Sequence, residues 1–171
     1  MEMTVPFVGA TKNGTGNNTH FGYLFGGSSS SSVPKSLKKV TITGGVIGNA
    51  AFRACTNLEN VVIGDDITAL GYQAFEGCSN LTSIVIPVGI TKINEFAFKS
   101  CDRLTNVYYE GTSEAWAGIH ISGSNSNLTS ATRYYYSETE PALNAEGTAY
   151  NSNYWHYDVN GDIVEWIYKQ V

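Results

Sequence analysis

Residues Leu58 to Arg103 contain one sentence written twice, and the repeat limits the folds open to the chain. Leu58-Glu-Asn-Val61-Val-Ile63 is followed by Leu70-Gly71, Ala74-Phe75 and Cys78; Leu81-Thr-Ser-Ile84-Val-Ile86 is followed by Ile93-Asn94, Ala97-Phe98 and Cys101. Equivalent residues lie 23 apart, as Leu81 minus Leu58 and Cys101 minus Cys78 show. A fixed period of this length means stacked coils, each too small to bury its own apolar face alone. An earlier copy at residues 37–57 places Leu37, Val40, Ile42, Ile47, Phe52 and Cys55 in the same phase. It is two residues short at Gly44-Gly45.

The residue types give each coil a physical reading. Leu-x-x-Val-x-Ile is a strand with Val and Ile facing inward at period two. Gly64-Asp65-Asp66 or Pro87-Val88-Gly89 turns the chain, a second short extended piece follows, and a brief helical turn carries Ala-Phe and Cys inside. Stacking predicts one buried column of Phe52, Phe75 and Phe98 and another of Cys55, Cys78 and Cys101. Each buried Phe contributes roughly 1.5–3 kcal/mol. Leu104 to Tyr109 opens a fourth coil in which Ser113 is the expected N-cap and Trp116 takes the place of Phe.

Three segments are expected within one structural domain. Residues 1–36 hold a partial repeat (Met3 to Pro6), a glycine-rich turn over residues 9–19, an aromatic run from His20 to Phe25 that caps the first coil, and a flexible loop over 26–34. Residues 37–127 form a solenoid of about four coils of about 23 residues. Residues 128–171 form a β cap: Thr132–Tyr136 is a strand by propensity. Asn160-Gly161 predicts a tight hairpin between Tyr154–Tyr157 and Ile163–Trp166.

The repeat consensus, with Ala-Phe-x-x-Cys recurring in phase three times, resembles the BspA-like leucine-rich repeat of bacterial surface proteins and some protozoan parasites. Pro6 to Gly14, His20-Phe-Gly-Tyr and Tyr154-Trp-His-Tyr are similar to segments flanking such repeats in anaerobic bacteria. The resemblance implies a right-handed leucine-rich solenoid, surface display, and adhesion or protein binding. It carries no catalytic residues and no cofactor.

Composition narrows the partners. A formal net charge of −5, from 10 Lys and Arg against 15 Asp and Glu, argues against nucleic acid, which requires a basic patch. The longest uncharged stretch, Phe21 to Pro34, is too rich in Gly and Ser to insert into a membrane. Met1 to Pro6 lacks the pattern of a signal peptide. An extracellular or cell-surface location therefore needs an export signal outside this chain, and the opening inside a repeat suggests a fragment of a longer protein.

Strand residues pointing away from the coil interior form the expected ligand face of a monomer. They are Thr41, Val62, Val85 and Tyr108, flanked by Asn60, Ser83 and Asn106. Strands about 4.8 Å apart make this face roughly 15 Å across, and Val62, Val85 and Tyr108 would form an exposed apolar stripe on it. A protein ligand is the first expectation. Carbohydrate or cell-wall binding through the C-terminal aromatics (Tyr134 to Tyr136, Tyr154, Trp155, Tyr157) is the second, and a purely architectural repeat segment the third. The three Cys fit the apolar pattern better than a metal site or disulfide. Asp158 to Asp162 has glycine out of place for a calcium loop. Gly9 to Gly16 lacks the Gly-Lys-Ser/Thr ending of a phosphate loop. His20, His120 and His156 are scattered without a nucleophile.

Overall fold

The computed structural model describes residues 1–9, 20–27 and 29–169. Residues 10–19 of the glycine-rich turn expected over 9–19 lie outside them. Strands β1 (Glu2–Val5), β2 (Lys39–Ile42), β3 (Asn60–Ile63), β4 (Ala69–Leu70), β5 (Ser83–Ile86), β6 (Lys92–Ile93) and β7 (Asn106–Tyr109) come first. Helix α1 (Ser113–Ala117), β8 (His120–Ile121), helix α2 (Ser126–Ser130), β9 (Thr132–Tyr136), β10 (Tyr154–Tyr157) and β11 (Ile163–Glu165) complete the chain.

The repeat strands stack in parallel as the period requires. Val40 pairs with Val61, Val61 with Ile84 and Ile84 with Val107, so each repeat, of 21 residues in the first step and 23 in the next two, advances the chain by one strand spacing. β1 precedes β2 and β9 follows β7, both in parallel. The stack is thus one strand longer at each end than four coils. On the far side, β4, β6 and β8 form a second parallel sheet. Between the two sheets lies the core of Leu, Ile, Val, Phe and Cys columns.

The Phe column forms, with Phe52–Phe75 at 5.0 Å and Phe75–Phe98 at 5.3 Å, both stacked. Phe21 extends it at 4.7 Å from Phe52, and its amide donates to the Ala51 carbonyl, so the aromatic run after His20 does close the first coil. The column of Cys is buried and unbridged. Cys78 and Cys101 donate their S–H to the Phe52 and Phe75 carbonyls at 3.1 Å, which fixes each thiol to the preceding coil.

Three local expectations change. The turn carrying Ala-Phe is not helical. Ala50 and Ala54, Gln73 and Gly77, and Phe96 and Ser100 are left-handed, with φ between 54° and 74°. In this path the amides of Ala50, Phe52 and Ala54 all point to the next coil and donate to Tyr72, Ala74 and Glu76. A helix would have spent those donors within its own turn. Helix α1 is capped by Thr112, whose hydroxyl accepts from the Ala115 amide, one residue before the expected Ser113. The serine loop contains a 3-10 turn at Ser30–Ser32.

The last coil lacks Ala-Phe, and buried Asn125 completes the ladder there. Its Oδ1 accepts from the Phe98 amide at 2.9 Å, where Phe52 and Phe75 have the carbonyls of Ala74 and Ala97. Its Nδ2 donates to the Asn94 and Ser122 carbonyls at 2.9 and 2.8 Å. A side-chain amide thereby replaces a main-chain one.

Candidate functional site

The C-terminal hairpin decides which strand residues remain accessible. Asp158 accepts from the Asn160 and Asp162 amides, and Gly161 adopts φ 80°, so the Asp-Val-Asn-Gly-Asp run is a hairpin turn. β10 pairs in parallel with β9, and β11 pairs antiparallel with β10. The sheet therefore continues past the solenoid in the order β1-β2-β3-β5-β7-β9-β10-β11. It curls, bringing the inner side of the hairpin back over β7 and β5.

A second core forms beneath it. Trp155 is fully buried, edge-on to Tyr157 (4.7 Å), Tyr136 (5.3 Å) and Tyr108 (5.6 Å), and its indole N–H donates to the Tyr109 carbonyl at 3.0 Å. Val85 and Tyr108 lie in this core, with Val62 and Ile163 at its margin. The expected exposed stripe is therefore corrected: Val85 is 1% and Tyr108 7% exposed, because the chain's own hairpin covers them. Asn106 is half-buried and donates toward Glu165 and the Tyr108 hydroxyl. Tyr108 donates to Glu165 at 2.7 Å, and burial, first, together with that carboxylate pushes its phenol up to about 12. Trp155 offers no face to a sugar, so the aromatic platform expected at its position is corrected too.

Coverage is graded along the sheet. At outward positions the residues run Thr41, Val62, Val85, Tyr108. The first two are half-buried and the last two buried. Beyond the hairpin's edge a cleft of about 530 Å³ opens. Its floor is the outer face of β2, β3 and β5 (Lys39, Thr41, Asn60, Val62, Ser83, Val85), and Tyr157 and Gly161 to Ile163 wall it on one side. The structure thus brings Thr41, Asn60, Val62 and Ser83 together and takes Tyr108 and Asn106 away. Ser83 donates to Asn60 at 2.6 Å, and Lys39 lies 3.5 Å from Glu2.

Two carboxyls, Glu110 and Asp65, sit beside Tyr157 near the hairpin's turn. Tyr157 donates to Glu110 at 2.8 Å, and burial, opposed by that hydrogen bond and aided by nearby Asp65, holds Glu110 above its ordinary value. Among the described residues no group of three His, Cys, Asp or Glu is placed to hold a metal ion, and no helix is long and apolar enough to cross a membrane.

Stacked coils with a leucine-lined parallel sheet define a leucine-rich repeat solenoid. More narrowly, residues 29–135 match the BspA type leucine rich repeat region in six copies; the chain belongs to that family. The fold is typically a non-enzymatic binding scaffold, and the family suggests a protein-interaction module. A solved structure, a T. pallidum leucine-rich repeat protein, is similar at 18% identity and a TM-score of 0.45 over 61% of this chain. This chain spans 60% of that structure's length. No curated protein matches.

Proposed function

We propose that the chain is a non-enzymatic protein-binding module of a bacterial surface protein, acting in adhesion. Its ligand occupies the cleft between β2–β3 and the hairpin. The observation that supports this reading is the open end of the strand face. Thr41, Asn60, Val62 and Ser83 present alternating polar and apolar groups there, beside a wall that the chain itself builds. Concave sites with a few convergent polar groups on an apolar floor are the usual form of a binding pocket. The module works as a monomer, with residues 1–36, 37–127 and 128–171 acting as one unit. It acts at the cell surface.

Surface plasmon resonance against immobilised matrix glycoproteins and bacterial surface proteins tests this. Binding should be lost in Val62→Arg and Thr41→Arg chains whose circular dichroism is unchanged. Binding kept in both variants but lost on changing Tyr154, whose neighbours Tyr135, Ser137, Asn151 and Ser152 line a polar hollow of about 490 Å³, would favour carbohydrate instead. A chain that binds nothing in this assay would be architectural.

A further inference from the structure

We propose that the ligand in this cleft is an extended peptide segment that adds a strand to the outer edge of β11. The inference rests on the cleft reading above and concerns the chemistry of its occupant.

The hydrogen-bond parity of the hairpin carries the argument. The amide of Asp158 donates to the Asp162 carbonyl, and that of Trp166 to the Tyr154 carbonyl. With Trp155 opposite Glu165 and Tyr157 opposite Ile163, even-numbered residues of β11 turn their main chain toward β10. The N–H and C=O of Ile163 and Glu165 therefore point the other way. β11 is the last strand of its sheet, and among the described residues nothing pairs with that edge. Ile163 also lines the cleft.

Exposed sheet edges are ordinarily guarded by lysine, proline, a bulge or a covering element. β11 is Ile-Val-Glu, without lysine or proline. Its one charge does not guard the edge, because the Glu165 carboxylate accepts from Tyr108 on the inner side. An open edge beside a cleft is suited to strand addition, in which main-chain bonds hold the peptide and alternate side chains enter pockets.

The walls specify those side chains. Residues of the added strand that face the solenoid meet Val62, Thr41 and Ile163, which select an apolar group of moderate size. Asp162 on the rim is exposed and makes no ion pair among the described residues, whereas Lys39 on the floor pairs with Glu2. The occupant is therefore an extended segment with an apolar residue over Val62 and a basic residue beside Asp162.

Phage-displayed random linear dodecapeptides, panned on the native chain and then assayed on the Val62→Arg and Thr41→Arg chains, test the assignment. The best peptide is then synthesised with a single N-methyl group at each position in turn. Methylation at alternate residues should weaken binding about ten-fold, and at intervening residues less than about two-fold, since only every second amide meets the edge. Asp162→Asn should weaken it about two- to five-fold, an effect that fades in high salt. Peptides lost on Val62→Arg but indifferent to the position of the methyl group would overturn strand addition and leave the cleft reading standing. Peptides that bind Val62→Arg and Thr41→Arg unchanged would overturn the cleft reading itself. A library that enriches nothing on the native chain would overturn the peptide assignment.

Discussion

Trp155→Ala removes the side chain on which the covering of the strand face depends. Trp155 is fully buried between the hairpin and the sheet, touches three tyrosine rings edge-on, and donates to the Tyr109 carbonyl. Truncating a buried Trp costs about 3–5 kcal/mol through lost burial and the cavity left behind. The lost hydrogen bond is part of that sum and accounts for about 1 kcal/mol. Because coils contact only their neighbours, the loss should fall first on the hairpin and only then on the stack. Amide exchange followed by NMR should show Trp155 to Tyr157, Val164 and Trp166 losing protection while Val61 and Ile84 keep theirs. The hydrophobic dye ANS should bind the newly exposed Val85 and Tyr108. Trp155→Phe keeps a ring and loses the indole N–H, so it should recover most of the stability. Hairpin amides exchanging at the native rate in Trp155→Ala, with a urea midpoint unchanged, would refute the second core.

Other outcomes follow from the same packing. Asn125→Ala strands the Phe98 amide and the Asn94 carbonyl and should cost about 2–6 kcal/mol in urea unfolding, at about 1–3 kcal/mol for each unsatisfied group; Asn125→Asp, which keeps the acceptor, should cost less at pH 4 than at pH 7. Glu110 holds its proton to higher pH folded than unfolded, so it costs stability above its folded pKa, and that cost disappears as the pH falls through the folded and then the unfolded value. Glu110→Gln, which still accepts from Tyr157, should therefore be more stable than the native chain at pH 7 and equal to it below the carboxylate range. Burial pushes the Cys55 and Cys101 thiols up to about 12 and Cys78 well above its ordinary value, so a disulfide reagent at pH 8 should label none of the three until urea unfolds the chain. A thiol that reacts at the rate of a free one would contradict the buried column.

The period in the sequence was enough to align Phe52, Phe75 and Phe98 and to place every repeat strand, because those positions answer to local burial alone. The hairpin was legible from Asn160-Gly161. Where the hairpin goes was not, since that depends on how far the sheet curls after β9. The clue lay in the outward positions, which pass from polar Thr41 to aliphatic Val62 and Val85 and then to aromatic Tyr108. By sequence alone Val62, Val85 and Tyr108 form a stripe open to a partner; the partner is the chain's own Trp155. Asn125 was invisible for a related reason: a single polar residue outside the repeat shows no pattern until the amide it satisfies is known. The left-handed residues at positions 50, 54, 73, 96 and 100 escaped because Ala, Gln, Phe and Ser carry no signal for that conformation.

The location of the ligand is tested most directly by an ¹⁵N chemical-shift map of the chain titrated with the best peptide panned on the native chain. Shifts gathered on Lys39 to Ile42, Asn60 to Ile63 and Gly161 to Glu165, with slowed exchange at the Ile163 and Glu165 amides, are the predicted result. Shifts confined to Thr112 to Glu114 and Asn151 to Tyr154, or to the outer turns around Tyr72 and Phe96, would contradict it.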